Sequence, residues 1–156
     1  AAAAAGAQVT HVDASKGMVT WAKENAVSSG LGDAPIRWLV DDCVKFVERE
    51  IRRGNTYDAI IMDPPSYGRG PKGEIWKIED MIHPLIKLCT KILSKDALFF
   101  LVNSYTTGLA PAVLTYMIST ELKPWNGHVD SQEIGLPVTD SGLVLPCGAS
   151  GRWERD

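Results

Sequence analysis

The stretch YDAIIMDPPSY, residues 57–67, decides the fold class of this chain. Its first six residues are mostly apolar and predict a buried strand. Asp63 ends that strand, and it is followed by Pro64 and Pro65, which have a fixed φ and no N–H. The chain must therefore leave the sheet stiffly, with the Asp63 carboxylate and the Pro64 carbonyl held as preset acceptors.

Two upstream strands are also followed by acids. Residues 8–13 and 36–40 have the apolar character of buried strands. The first ends at Asp13, and the second runs into the pair Asp41 and Asp42. Helical spacing of apolar residues predicts helices over residues 16–29 and 44–53, and the opening alanines predict a helix end capped by Gly6.

Downstream, the same alternation continues. Helical patterns cover residues 79–93 and 110–122, a strand covers 97–102, and a terminal hairpin is expected to turn at residues 140–142. Apolar strands alternating with helices predict a mostly parallel sheet covered on both faces. We therefore expect one α/β domain over residues 1–156, a doubly wound, Rossmann-like sheet with a C-terminal antiparallel hairpin.

The composition is that of a globular protein. The chain has 156 residues, 45% of them hydrophobic and 22% charged, with no apolar run long enough to span a membrane. Three widely spaced cysteines predict reduced thiols, a cytoplasmic location and no metal site. The net charge of -3 argues weakly against a nucleic-acid partner, although local clusters of basic residues leave one open.

The acids at the strand ends suggest a nucleotide site. Ligands of open α/β sheets bind at the carboxyl ends of the strands, where an acid can accept hydrogen bonds from ribose hydroxyls. We assign that role to Asp13, with a helix cap as the alternative. Asp42, preferred over Asp41, would accept from an adenine amine while the Cys43 N–H meets a ring nitrogen; either acid could instead cap the following helix.

The DPP stretch itself suggests chemistry. Two fixed acceptors can orient an N–H2 or ring N–H so that its lone pair faces a methyl donor. Tyr67 offers a face on which a planar substrate could stack. The plainer interpretation is a proline turn that only ends a strand.

These residues together resemble a known family. YDAIIMDPPSYGRG (57–70) is similar to the core of bacterial class I S-adenosylmethionine-dependent methyltransferases related to the large-subunit (23S) ribosomal RNA methyltransferases. VDAS (12–15) and DCVKF (42–46) resemble that family's ribose and adenine motifs. The resemblance implies a seven-stranded sheet, bound S-adenosylmethionine, no metal and an RNA base as acceptor. It implies a catalytic floor of Asp63, Pro64, Pro65, Ser66 and Tyr67, and cofactor contacts from Asp13, Ala14, Ser15, Asp42, Cys43 and Asp63.

The chain departs from the family pattern in two respects. The first strand and the glycine-rich loop of the family are not in this sequence, so the resemblance implies that they precede Ala1. Members that methylate carbon 5 of cytosine need a strand-end cysteine, where this chain has Asn103, Ser104 and Tyr105. We therefore expect transfer to nitrogen, and regard Cys147 as the weaker alternative nucleophile.

The glycine-rich residues 68–74 predict a mobile loop over the substrate, with Arg69 and Lys72 placed to meet phosphate. An ordinary solvated loop is the alternative. We expect a monomeric, cytoplasmic enzyme that methylates a base nitrogen in ribosomal RNA. The rival functions are methylation of a protein amide or a small molecule, and a nucleotide-binding module without catalysis.

Overall fold

The computed structural model describes residues 1–70, 73–106 and 108–156. The chain divides into two compact units, Ala1–Arg53 and Gly54–Asp156, and each is described by itself. None of the helices formed by the described residues has the length and apolar character needed to cross a membrane.

The first unit contains one parallel strand pair with two helices. Its elements are a 3-10 helix Ala3–Ala5, β1 (Val9–Asp13), α1 (Lys16–Ser28), β2 (Ile36–Val40) and α2 (Cys43–Arg53). β1 pairs with β2 in parallel, from Val9 opposite Ile36 to Asp13 opposite Val40. The 3-10 helix ends at Gly6, whose φ of 90° confirms the predicted glycine cap.

Polar side chains begin both helices of this unit. The Ser15 hydroxyl accepts a 3.3 Å hydrogen bond from the Met18 N–H at the start of α1. The Asp42 carboxylate accepts a 2.9 Å bond from the Lys45 N–H at the start of α2. Each side chain satisfies an amide of the first turn that has no partner within the helix, so both helices have a defined first residue.

The second unit is built on a four-stranded mixed sheet. Its elements are β3 (Ala59–Met62), β4 (Tyr67–Arg69), β5 (Ile75–Lys77), α3 (Ile78–Thr90), β6 (Phe99–Ser104), α4 (Pro111–Glu121), β7 (His128–Pro137) and β8 (Val144–Glu154). The strand order is β3-β6-β8-β7, with β3 and β6 parallel and the other two pairs antiparallel. β4 and β5 form a separate antiparallel hairpin. The predicted α/β class, with parallel pairing and a C-terminal antiparallel hairpin, is confirmed.

The core of the second unit lies against one face of β6 and β8. Alternate residues of β6, namely Phe100, Val102 and Ser104, are fully buried. Ile118 of α4 is also fully buried, and β8 passes close to this helix at Gly151. A methyl group at Gly151 would lie 2.7 Å from the Ile118 side chain, so the tight approach depends on glycine.

The segment after the DPP stretch is more regular than predicted. Residues 68–74 were expected to form a mobile loop, but Tyr67–Arg69 and Ile75–Lys77 pair as strands on either side of the turn. The flanking Tyr67, Ile75 and Trp76 are aromatic or β-branched and favour extended backbone, which the glycine count concealed. Lys72 lies outside the described residues.

Burial near β3 also differs from expectation. We expected Ile60, Ile61, Phe99, Leu101 and Val102 to be buried in central strands. Val102 is buried, but Ile61 is 58% exposed and the remaining three are half-buried. Among the described strands, β3 pairs with β6 alone and so lies at an edge of its sheet, which leaves Ile61 open on that side, whereas Phe99 and Leu101 alternate with the buried residues of β6 and so belong to its other face. The predicted exposure of Arg52 and Arg53 is confirmed.

Candidate functional site

The DPP stretch and the segment after β6 leave the sheet side by side. The parallel register ends with Met62 opposite Val102. Asp63 and Asn103 therefore follow at the same carboxyl end of neighbouring strands. This is where the sequence placed the acceptor site, and it is built from two chain segments that are forty positions apart.

Hydrogen bonds from three parts of the chain hold the DPPSY segment in place. The Pro65 carbonyl accepts a 2.6 Å bond from the Trp76 indole N–H, and the Ser66 carbonyl accepts a 3.1 Å bond from the Ile78 N–H. The Ser66 and Thr106 hydroxyl oxygens lie 2.7 Å apart. The segment is thus attached to the β4–β5 hairpin, to the start of α3 and to the chain after β6.

The Asp63 carboxylate remains available at this fixed position. Asp63 is exposed, and none of the described residues forms a hydrogen bond or ion pair with its side chain. The adjacent Pro64 is half-buried and, like Pro65, has no N–H with which to occupy a neighbouring acceptor. The site can therefore accept hydrogen bonds from an incoming amine or ring N–H.

Tyr67 and Arg69 interact with each other. Tyr67 is 51% exposed, and its phenolic oxygen accepts a 2.9 Å hydrogen bond from the Arg69 Nε. The contact restrains the Tyr67 ring beside the DPP exit. The contact also uses the Nε donor of Arg69, a residue that the sequence analysis assigned to phosphate. The other two guanidinium nitrogens take no part in this contact.

In the first unit, Asp13 occupies the end of β1. One carboxylate oxygen of Asp13 accepts a 2.6 Å bond from the Ser15 N–H, closing a turn over the exposed Ala14. The Asp13 carbonyl accepts a 2.9 Å bond from the Asp41 N–H. Asp13, Ala14 and Ser15 thus form a turn at the strand end, and the cap of α1 is Ser15 rather than Asp13.

Asp41 and Asp42 have different surroundings. Asp41 forms an ion pair with Arg49, whereas Asp42 is exposed and bonds to the Lys45 N–H. The helix cap that the sequence left open as an alternative is therefore present at Asp42. A carboxylate has four lone-pair directions, so a cap that uses one of them is compatible with a second hydrogen bond.

The Cys43 thiol lies close to both acids of the first unit. Burial raises the pKa of this thiol, and the negative charges of Asp13 and Asp42 raise it further. The Cys43 Sγ lies 3.8 Å from the Val12 carbonyl, so the thiol points back towards the end of β1. Both carboxylates thus influence one thiol, and each is a hydrogen-bond acceptor of the kind that suits ribose hydroxyls or an exocyclic amine.

The other cysteines lie elsewhere. All three are free thiols, Cys89 is buried in α3, and the Cys147 Sγ lies 3.4 Å from the Ile134 carbonyl in the β7–β8 hairpin. β6 lies between β3 and the strand that carries Cys147. Across the described ranges, no group of three or more His, Cys, Asp or Glu side chains could hold a metal ion.

Sequence reasoning missed two residues of the acceptor segment. Trp76 and Thr106 make hydrogen bonds to Pro65 and Ser66, over eleven and forty positions respectively. Thr106 could have been found, because it follows β6, the strand that pairs in parallel with the DPP strand β3. Nothing in the sequence indicated that Trp76 folds back on the prolines.

The chain is similar to solved structures of methyltransferases. No model of a known protein family matches the chain. An S-adenosylmethionine-dependent methyltransferase from Agrobacterium tumefaciens has 42% sequence identity and a TM-score of 0.90, covering 99% of this chain and 51% of its own. A methyltransferase complexed with S-adenosylhomocysteine has 20% identity and a TM-score of 0.71, covering 92% of this chain and 38% of its own.

A curated relative points to the ribosomal RNA family. The large-subunit ribosomal RNA methyltransferase K/L of Shewanella frigidimarina is 32% identical over 85 residues, which are 51% of this chain and 12% of that protein. The chain thus spans about half the length of the Agrobacterium structure and about an eighth of this relative. The resemblance to S-adenosylmethionine-dependent methyltransferases, and to the large-subunit ribosomal RNA methyltransferases among them, is confirmed, as is the fold.

Proposed function

We propose that this chain carries an S-adenosylmethionine-dependent methyltransferase site that acts on a nitrogen of a base in ribosomal RNA. The observation that carries the proposal is the Asp63 carboxylate, exposed at the carboxyl end of β3, next to a rigid two-proline exit. An acceptor fixed in this way can orient an amine without first paying a reorganisation cost.

The first unit contributes the adenosine contacts. Asp13 is assigned to the ribose hydroxyls, and Asp42 to the adenine amine. The turn over Ala14 and Ser15 and the first-turn amide of Cys43 supply backbone donors beside these acids. The proposal is supported by the strand register, because Asp13 ends β1 and Asp42 follows the end of its parallel partner β2, where ligands of open α/β sheets bind.

The second unit contributes the acceptor contacts. Asp63 and the Pro64 carbonyl would each accept a hydrogen bond from the target amine, which turns the nitrogen lone pair towards the methyl group. S-adenosylmethionine supplies that methyl group on a sulfonium sulfur. The N–C bond would form as the C–S bond breaks, S-adenosylhomocysteine would leave, and the methylated nitrogen would lose one proton; positioning of this kind contributes much of the rate.

Transfer to nitrogen is favoured over transfer to carbon. Carbon methylation of cytosine would need a thiol beside the base, but β6 ends in Asn103 and Ser104 and is followed by Tyr105 rather than by a cysteine. The nearest strand that carries a cysteine is β8, which is separated from β3 by β6, a distance of roughly 10 Å at the usual strand spacing. Nitrogen already has a lone pair and needs no covalent adduct.

RNA as the substrate is supported by the likeness to the Shewanella relative, whose name specifies large-subunit ribosomal RNA. The proposed phosphate contacts are Arg69, beside Tyr67, and Lys72, three positions further along the sequence. Phosphate contacts of this kind orient the RNA and leave base selection to the site.

The test is methyl transfer by the full chain to undermodified ribosomal RNA, followed by mass spectrometry of the nucleosides. We expect a base methylated on nitrogen, and unchanged activity in Cys147→Ser. Recovery of 5-methylcytosine, or loss of activity in Cys147→Ser, would contradict the nitrogen mechanism. Cofactor binding without methylation of any RNA would favour a protein amide or small-molecule acceptor.

A further inference from the structure

We infer that Tyr105 is a second aromatic contact for the acceptor base, and that the site takes an unpaired base rather than one stacked in a duplex. The inference rests on the proposed function and deepens it, because it specifies the state of the RNA at the site. Tyr105 follows β6 directly and is 56% exposed.

Strand register places Tyr105 at the acceptor end of the sheet. Asn103 stands one position past the last β3–β6 pair, as Asp63 does. Burial alternates along β6, with Ser104 fully buried. Tyr105 is the next residue after Ser104, and its exposed side chain stands at the strand end where Asp63 also emerges.

Hydrogen bonds on both sides of Tyr105 fix its backbone. The buried Ser104 hydroxyl accepts a 3.2 Å bond from the Thr106 N–H, which closes a tight turn around Tyr105. The Thr106 hydroxyl is the one that lies 2.7 Å from Ser66. Tyr105 and Tyr67 thus stand on two segments that are joined by the Ser66–Thr106 contact, each segment carrying one exposed aromatic side chain.

The strand behind Tyr105 is shaped to let its backbone approach. Gly148 of β8 packs on the carbonyl of Ser104, and a methyl group there would clash with that oxygen and come within 3.1 Å of the Tyr105 Cα. Gly148 also has a φ of 159°, so a side chain at this position would meet backbone strain as well as the clash. The backbone at Tyr105 is therefore held in place while its side chain remains more than half exposed.

Two exposed aromatic side chains near a hydrogen-bonding acceptor suit a flat heterocycle. Stacking is tolerant of base identity and contributes substantially to binding of single strands. A base inside a duplex has its faces covered by its neighbours, so it must be extruded before protein rings can reach them. The site is accordingly expected to prefer loops, bulges or single strands of RNA.

The experiment compares three variants of the full chain. Tyr105→Leu removes the ring, Tyr105→Phe keeps it, and Tyr116→Leu is the matched control, since Tyr116 is 71% exposed on α4. Each variant is measured for S-adenosylhomocysteine affinity, for kcat/KM on undermodified ribosomal RNA, and for binding of a fluorescent oligoribonucleotide in single-stranded and in duplex form.

Tyr105→Leu is expected to lower kcat/KM and single-strand affinity by on the order of tenfold. Tyr105→Phe and Tyr116→Leu should stay near wild type, and cofactor affinity should be unchanged throughout. A Leu variant equal to wild type, a Phe variant as weak as Leu, or equal loss on duplex RNA would each overturn the inference.

The binding arm separates this inference from the proposed function. A wild-type chain that binds single-stranded RNA through Tyr105 but transfers no methyl group refutes base methylation and leaves Tyr105 as an RNA contact. Normal transfer in Tyr105→Leu refutes the stacking role alone. A wild-type chain that neither binds nor methylates RNA overturns both.

Discussion

The Trp76 indole donates a 2.6 Å hydrogen bond to the Pro65 carbonyl, and this bond attaches the β4–β5 hairpin to the proline exit of β3. Pro64 and Pro65 have no N–H, so their peptide groups can be held by hydrogen bonds only through their carbonyls. The bond is accepted by the Pro65 carbonyl. The Pro64 carbonyl, one residue nearer to Asp63, takes no part in it. Trp76 therefore acts as a positioning residue for the acceptor site.

Trp76→Phe should lower kcat several-fold while leaving cofactor affinity unchanged. The ring remains, but a hydrogen bond with a net value of about 0.5–1.5 kcal/mol is lost, and the proline segment gains freedom. Trp125→Phe is the matched control, because its indole donates a 2.8 Å bond to the Ser94 carbonyl away from the acceptor segment. Steady-state kinetics with equal losses in both variants would show a general stability effect instead.

Asp63→Ala should reduce methyl transfer on the order of a hundredfold or more, since it removes a preset acceptor. Cofactor affinity should change much less, because Asp63 acts on the acceptor nitrogen. Asp96→Ala removes an exposed acid that pairs with Arg155 and should be nearly silent. Single-turnover rates and calorimetry measure the two quantities, and a selective loss of cofactor binding in Asp63→Ala would move this residue to the cofactor side.

Asp13→Ala should weaken S-adenosylhomocysteine binding by about 1–3 kcal/mol through the loss of charge-assisted hydrogen bonds. Asp13→Asn can still accept the Ser15 N–H and so preserves the local turn, which separates the ligand contact from the turn itself. The exposed Asp33 provides the control substitution, Asp33→Ala. Calorimetric affinity equal to wild type in Asp13→Ala would remove this residue from the site.

Cys43 should be alkylated slowly at about pH 8.5. Burial, with the charges of Asp13 and Asp42, raises the pKa of the thiol, so the reactive thiolate is scarcer at that pH than in an unperturbed cysteine. Asp42→Asn removes one negative charge and should lower the pKa and speed alkylation, whereas Asp33→Asn should not. The rate can be followed by mass spectrometry of the peptide that contains Cys43, and unchanged kinetics in Asp42→Asn would argue against the convergence of these groups.

Bound cofactor analogue should protect the same thiol. If adenosine occupies the Asp13 and Asp42 acceptors beside Cys43, saturating S-adenosylhomocysteine should slow alkylation of Cys43 and leave that of Cys147 unchanged. Equal rates with and without the analogue, at a concentration shown by calorimetry to saturate the full chain, would place the adenosine elsewhere.

Gly151→Ala should destabilise the second unit by about 1–3 kcal/mol, because overpacking forces neighbouring side chains to move. The added methyl group would lie 2.7 Å from the Ile118 side chain and 2.9 Å from the Leu114 Cβ, where β8 packs on α4. Gly17→Ala makes the same chemical change in α1, where the nearest atom is 3.8 Å away, and should be neutral or stabilising. Denaturant unfolding of both variants measures the difference.

The sequence by itself determined the local elements and the chemistry at their ends. Apolar runs bounded by acids and prolines located β1, β2 and β3, because a buried strand must be apolar and its end must be polar. DPPSY could be recognised because fixed φ and missing N–H groups act locally. The same locality explains why residues 68–74 were predicted as a mobile loop, since the glycines concealed the preference of the flanking side chains for the strand pairing of Tyr67–Arg69 with Ile75–Lys77.

Only the tertiary structure decided which distant residues meet. Folding must bring groups within hydrogen-bonding distance before several contacts of this chain can form. These are the Ser66–Thr106 contact, the Trp76–Pro65 contact and the ion pair of Asp41 with Arg49, which distinguishes Asp41 from Asp42. Hydrogen bonds depend steeply on distance and angle, and a sequence pattern specifies neither. The exposure of Ile61 was decided in the same way, since burial of a strand residue depends on which neighbours cover it and not on its own hydrophobicity.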